Sequence, residues 1–106
     1  MLEVVEADLD DAGHAEAVVA VLDSYASDPI GGGEPLAADV RRRLVPELRA
    51  HPTALVLLAF DGGEAVGLAV CFYGFSTFAA RPLLNVHDLA VVPARRGQGI
   101  GRALLQ

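Results

Sequence analysis

The stretch that decides the reading is Val91-Val92-Pro93-Ala94-Arg95-Arg96-Gly97-Gln98-Gly99-Ile100-Gly101. An apolar strand runs into Pro93, which cannot donate to a strand ladder, and a basic, glycine-rich loop then leads into a helix beginning at Ile100 or Gly101. Such a segment is an anion cradle. Glycines let the backbone approach closely, successive N–H groups point into one concavity, and the start of the helix adds positive potential. Arg96 and Arg102 can add charge-assisted bonds, so the implied ligand is a phosphate or pyrophosphate. The spacing does not match a P-loop, because no Gly-Lys-Ser/Thr follows. It is also a poor dinucleotide fingerprint. Read from Gly97 and Gly99, the third glycine position holds Arg102, and the loop follows the last strand of a meander rather than the first strand of a βαβ unit.

Working outward from the loop, Leu83 to Val92 reads as a strand, preceded by a connector from Ser76 to Pro82. Before it, two apolar runs, Ala54 to Phe60 and Ala65 to about Phe75, flank the tight-turn signal Asp61-Gly62-Gly63 and predict an antiparallel hairpin. These strands are apolar on both faces, which predicts helices on both sides of the sheet. Pro35 suits the first turn of a helix whose stripe is Leu36, Val40, Leu44 and Leu48. Pro46 inside that pattern predicts a kink or a split, and His51-Pro52 an end. An earlier helix runs from an Asp10 or Asp11 cap to about Ser27, with Ala15, Val18, Leu22 and Tyr25 on one face. Leu2 to Ala7 is a short strand, and Ser27 to Pro35 a loop. The predicted class is α/β (α+β), a mixed, mainly antiparallel sheet in the order β-α-α-β-β-β and the start of an α. That final helix is barely two turns, with Leu104 and Leu105 turned inward.

Composition narrows the function. At 106 residues the chain forms one domain at most, and 53% apolar against 21% charged residues is a globular balance. A formal charge of −6 argues against a nucleic-acid partner, since phosphate backbones need a surplus of Lys and Arg. A single cysteine, Cys71, allows no intrachain disulfide and suits a reducing cytoplasm. Acidic residues stand where a secretory signal would carry bases, and no apolar run reaches the ~20 residues that span a bilayer, so neither export nor a membrane is expected. Cys71 reads as small core packing, the arginine run 41–43 as a solvated helix face, and Tyr25 and Tyr73 as core packing, with lining of a substrate pocket as the alternative. His14 and His51 have no metal-ligand spacing, and no metal is expected.

The segment Asp88-Leu-Ala-Val-Val-Pro-Ala-Arg-Arg-Gly-Gln-Gly-Ile-Gly-Arg-Ala-Leu-Leu resembles the acetyl-CoA signature of the GNAT superfamily of N-acetyltransferases. Its core, Arg/Gln-x-x-Gly-x-Gly/Ala, is met by Arg96, Gly99 and Gly101, and the element order before it also agrees. A weaker resemblance, carried by Val70-Cys-Phe-Tyr-Gly-Phe-Ser-Thr-Phe and Val86-His-Asp-Leu, points to the polyamine and thialysine acetyltransferase branch. There Leu-Glu-Asp stands where this chain has Val86-His87-Asp88.

The resemblance implies acetyl-CoA as co-substrate and direct acetyl transfer to a primary amine of a small molecule or peptide. Backbone groups of Leu89, Ala90 and Val91 would bond the pantetheine arm as an added strand. N–H groups of Arg96, Gly97, Gln98, Gly99, Ile100 and Gly101 would hold the pyrophosphate, with Arg102 following. The motif strand of the family carries a bulge that turns an N–H toward the thioester carbonyl. An amine of pKa about 10 must lose a proton before it attacks. His87 is the candidate base, because histidine titrates near neutrality and this one lies on the motif strand. The alternatives are a core histidine and a substrate-positioning group. Asp88, alternating to the opposite face, reads as structural.

Relatives continue past the motif helix with a strand that opens the cofactor slot, a helix and usually a hairpin. The expectation is therefore that residues 1–106 form the N-terminal part of a single acetyltransferase domain. Completion by a second copy, as a homodimer, and a non-catalytic CoA-binding module are the alternatives.

Overall fold

The computed structural model describes residues 1–106 and consists of one sheet with helices on both faces. Strand β1 (Leu2–Glu6) is followed by α1 (Ala12–Ser27), a 3-10 turn at Pro29–Gly31, and α2 (Ala38–Ala50). Then come β2 (Ala54–Asp61), β3 (Glu64–Ser76), β4 (Arg81–Val91), a second 3-10 turn at Pro93–Arg95, and the short α3 (Ile100–Leu104). The strands lie in the order β1-β2-β3-β4, and every pairing is antiparallel, so no parallel pair makes this part of the sheet mixed.

Local chemistry accounts for the boundaries. Asp11 caps α1 by accepting the His14 N–H at 2.9 Å. The β2–β3 turn places Gly62 and Gly63 at φ +61° and +86°, the left-handed pair that a two-residue hairpin requires. Helix α2 begins at Ala38, three residues after the expected Pro35, because the Leu36 N–H is drawn to Asp23 Oδ1 at 2.8 Å. Pro46 does not split α2, which continues to Ala50. The β3–β4 connector is shorter than the sequence suggests. Strand β4 already starts at Arg81, and Pro82 sits opposite Phe75 on an edge strand, where a missing N–H costs least.

The core has two parts, as strands apolar on both faces require. Val18 and Val21 of α1 and Leu48 of α2 cover Val56, Leu58, Leu68, Val70 and Ala90 on one face. On the other, Ile100 and Leu104 of α3 cover Ala59, Val66, Ala69 and Cys71. Leu105, expected to point inward, is 57% exposed, because the last turn ends at Leu104. Tyr73, expected in the core, is 52% exposed, since β3 extends past the end of β2 there.

Candidate active site

The site gathers along β4, the open edge of the sheet. Its register against β3 breaks once: Val70 faces Asp88 while Cys71 faces Val86, leaving His87 as an extra residue. This is a β-bulge, and it changes which face the side chains occupy. Asp88 shares the face of its partner Val70, the face covered by α1 and α2. His87 lies on that face too, its ring 5.8 Å from that of Phe72, which packs against the same core. The alternation expected for Asp88 therefore fails at the bulge. His87 Nε2 and Asp88 Oδ2 are 3.9 Å apart, with His87 exposed and Asp88 half-buried.

Past the bulge the ladder fixes the direction of each backbone group. The Val92 N–H donates to Val66 O at 3.0 Å, so Val92 and Val66 form a hydrogen-bonded pair. Such pairs alternate along an antiparallel ladder. Ala90, two residues back, therefore directs its N–H and C=O toward β3, whereas Leu89 and Val91 direct theirs to the open edge. The position of Arg96 agrees: its Nε donates to the outward Val91 carbonyl at 3.3 Å.

The loop after β4 holds a row of free donors. The Arg96 N–H is taken by Pro93 O at 3.4 Å. From Gly97 through Arg102, no backbone N–H has a hydrogen-bond partner within the molecule. Gly97 and Gly99 both have φ +81°, and no atom lies within 4 Å of where a Cβ would stand on either. The space above them is open. The loop is anchored from outside. Arg95 pairs with Asp61 of the β2–β3 hairpin and bonds Gln98 Oε1 at 3.1 Å. The Met1 ammonium and then Arg95 hold the Asp61 carboxyl below its usual range. Arg96 reaches the largely buried Asp28, at the end of α1, at 3.2 Å. Arg102 makes no side-chain bond and projects into solvent.

A cleft of about 300 Å³ joins these parts, lined by Leu89, Val91, Arg96 and Gly101 together with Tyr25 and Ile30. Four of the six were singled out in the sequence. Tyr25 was read as core packing in preference to pocket lining, and Ile30 was not singled out, because only the fold carries the end of α1 and the Pro29–Gly31 turn over the edge of β4. Asp28, Asp61 and Arg95 were missed for the same reason: their partners lie 68, 34 and 34 residues away. A mainly apolar cleft beside open strand groups and a loop of free N–H donors suits a ligand with an apolar body and an anionic end.

The family model described as "Acetyltransferase (GNAT) family" matches residues 17–106. This chain belongs to the GNAT acetyltransferase family. An uncharacterized N-acetyltransferase of Archaeoglobus fulgidus is 40% identical over 52 residues, 48% of this chain and 35% of that protein. A ribosomal-protein-alanine N-acetyltransferase from Brucella melitensis biovar Abortus superposes with a TM-score of 0.73 at 21% identity, over 99% of this chain and 66% of that one. An aminoglycoside acetyltransferase from an uncultured soil metagenomic sample, solved in complex with sisomicin, gives 0.77 at 18% identity, over 98% of this chain and 64% of that one. At such identities the superpositions establish the fold. This GNAT chain thus spans about a third of the sequence relative and about two thirds of the solved neighbours.

Other features of the GNAT chain fall outside the edge site. Cys71 is buried on the α3 face, where desolvation pushes its thiol pKa up and away from nucleophilic use. Nδ1 of His51 accepts the Thr53 N–H at 3.2 Å, which leaves the proton of the neutral ring on Nε2, a donor rather than a base. No three His, Cys, Asp or Glu side chains are grouped as metal ligands, and no helix is long and apolar enough to cross a membrane. Arg42 and Arg43 pair with Asp39 on the exposed face of α2.

Proposed function

We propose that this chain carries the acetyl-CoA site of an N-acetyltransferase that moves an acetyl group from the CoA thioester to a primary amine. The observation that carries the reading is the continuity of three features along one edge: the bulge at His87, the outward backbone groups of Leu89 and Val91, and the unpaired N–H groups from Gly97 to Arg102.

In this reading the pantetheine arm lies beside β4 and bonds to Leu89 and Val91, while Ala90 lines the strand without offering a free backbone group. The guanidinium of Arg96 leaves Val91 O to the incoming amide and turns toward the phosphates. The donors of Gly97, Gln98, Gly99, Ile100, Gly101 and Arg102 hold the pyrophosphate. Leu89 N–H is the first outward donor past the bulge, so it is the group placed to stabilise the negative oxygen that develops on the thioester carbonyl. The amine nitrogen attacks that carbonyl, the N–C bond forms, the C–S bond breaks, and the thiolate takes up a proton. His87 is the assigned base. It accepts the proton that the ammonium must lose, with the Asp88 carboxylate 3.9 Å from its Nε2.

Calorimetric titration with acetyl-CoA tests the reading, with Gly99→Trp as control. A tryptophan there would fill the open cradle and strain a left-handed residue by about 1–2 kcal/mol. Saturable binding to the wild-type chain, lost in a variant whose circular dichroism remains native, is the expected result. Equal binding by both, or none by a folded wild-type sample, would remove the cradle from the account.

A further inference from the structure

The side chain of Arg96 lies across the cleft beside β4. Its Nε donates to the outward carbonyl of Val91 at 3.3 Å, and a terminal nitrogen donates to Asp28 Oδ2 at 3.2 Å. Val91 belongs to the strand wall of the cleft, whereas Asp28 stands between Tyr25 and Ile30, which form the other wall. One guanidinium thus bridges the two walls. A chain lying along β4 needs both the Val91 carbonyl and the space that the guanidinium fills.

The Asp28 end of this bar is fixed. Its other carboxylate oxygen accepts the Ile30 N–H at 3.0 Å, and its carbonyl accepts the N–H groups of Gly31 and Gly33, both at 2.9 Å. The turn is also pressed onto the end of α1, where a Cβ on Gly31 would stand 1.9 Å from Tyr25 O. Asp28 therefore cannot follow Arg96 outward without losing those bonds. Its side chain is only 14% exposed, so a departing guanidinium leaves a poorly solvated carboxylate without its cation. Opening the cleft carries a cost that is set at Asp28.

Two kinds of thioester meet that cost differently. A pantetheine arm without phosphate brings amides and an apolar body, and offers the displaced guanidinium no anion. An arm that continues into a diphosphate brings one. Phosphates seated on the free N–H groups from Gly97 to Arg102 lie next to Arg96 along the chain and give its guanidinium a new charge-assisted partner. We propose that Arg96 is a specificity-determining residue: it bars the cleft to phosphate-free pantetheine thioesters and is drawn aside by a diphosphate. The proposal rests on the acetyl-CoA reading above, and adds that the free chain competes for its own cofactor slot.

Amide-shift titrations of the labelled chain with two ligands test it, without any turnover. The ligands are acetyl-CoA and acetyl-pantetheine, which ends in a hydroxyl where CoA continues into its diphosphate. Arg96→Ala removes the bar, so acetyl-pantetheine should bind about three- to tenfold more tightly than it does to the wild type, and the preference for acetyl-CoA should shrink by at least that factor. Asp28→Asn keeps an oxygen for the Ile30 N–H and removes the charge that holds the guanidinium. It should tighten both ligands, and it decides the matter alone if Arg96→Ala fails to fold. A residue that only binds phosphate would leave acetyl-pantetheine unchanged in both variants, and a merely structural one would weaken both ligands. Either result overturns the proposal, and saturable acetyl-CoA binding alongside it leaves the acetyl-CoA reading intact. Folded wild type and variants that bind neither thioester would overturn the reading and the proposal together.

Discussion

At Gly67 the sheet and α3 leave no room for a side chain. A Cβ there would stand 2.8 Å from Ile100 Cγ2 and 3.1 Å from Leu104 Cδ1, so the absent side chain lets the motif helix lie flat on β3. Gly67→Ala should push α3 away and destabilise the fold by about 1–3 kcal/mol, read as a lower urea midpoint. An unchanged midpoint would mean that α3 does not pack as described. Asp61 is a second such position. Its carboxyl, held low by the Met1 ammonium and by Arg95, contributes stability that is complete above the ordinary carboxylate pKa of about 4. That contribution is lost as the pH falls through the lower folded value, because the unfolded carboxyl takes up its proton first. Urea midpoints followed downward from pH 5 should therefore fall more steeply in the wild type than in Asp61→Asn. In the proposed reaction His87 is the base. With an active form of the enzyme in hand, His87→Ala should lower kcat by about a hundredfold or more, with KM for acetyl-CoA little changed.

Among the elements, α2 and β4 each carry a local cost. Helix α2 keeps Pro46 in its interior, where the ring removes the bond to the carbonyl of Arg42 and crowds the preceding turn. Pro46→Ala should therefore raise stability by about 1 kcal/mol or more, a shift in urea midpoint that a proline-adapted helix would not show. Strand β4 shows where a sequence can and cannot be read. The loop from Arg96 to Arg102 was legible because glycine spacing, proline and helix start are local signals that survive without a fold. The hairpin at Gly62-Gly63 and the Asp11 cap were legible for the same reason. The bulge at His87 was not, since a bulge is a property of two paired strands and nothing in Val86-His87-Asp88 alone reports the register of β3. Strict alternation consequently put Asp88 on the wrong face. The outward direction of Leu89 and Val91 also depends on pairing, which is why three consecutive residues read alike from sequence and only two of them have free backbone groups.

Across the whole molecule, one cleft follows the open edge of β4 and meets the glycine loop. The Arg96–Asp28 pair ties the loop of this cleft to the segment that follows α1, 68 residues away in sequence. The central claim is that the β4 edge and its loop together form the cofactor cradle. Amide chemical shifts of the labelled chain, followed by NMR during titration with acetyl-CoA, test it most directly. The account predicts saturable shifts concentrated at Leu89, Val91 and Gly97 through Arg102, with the amides of β1 and of α2 nearly still. Shifts centred on α2, or spread evenly with no response from Gly97 to Arg102, would contradict it.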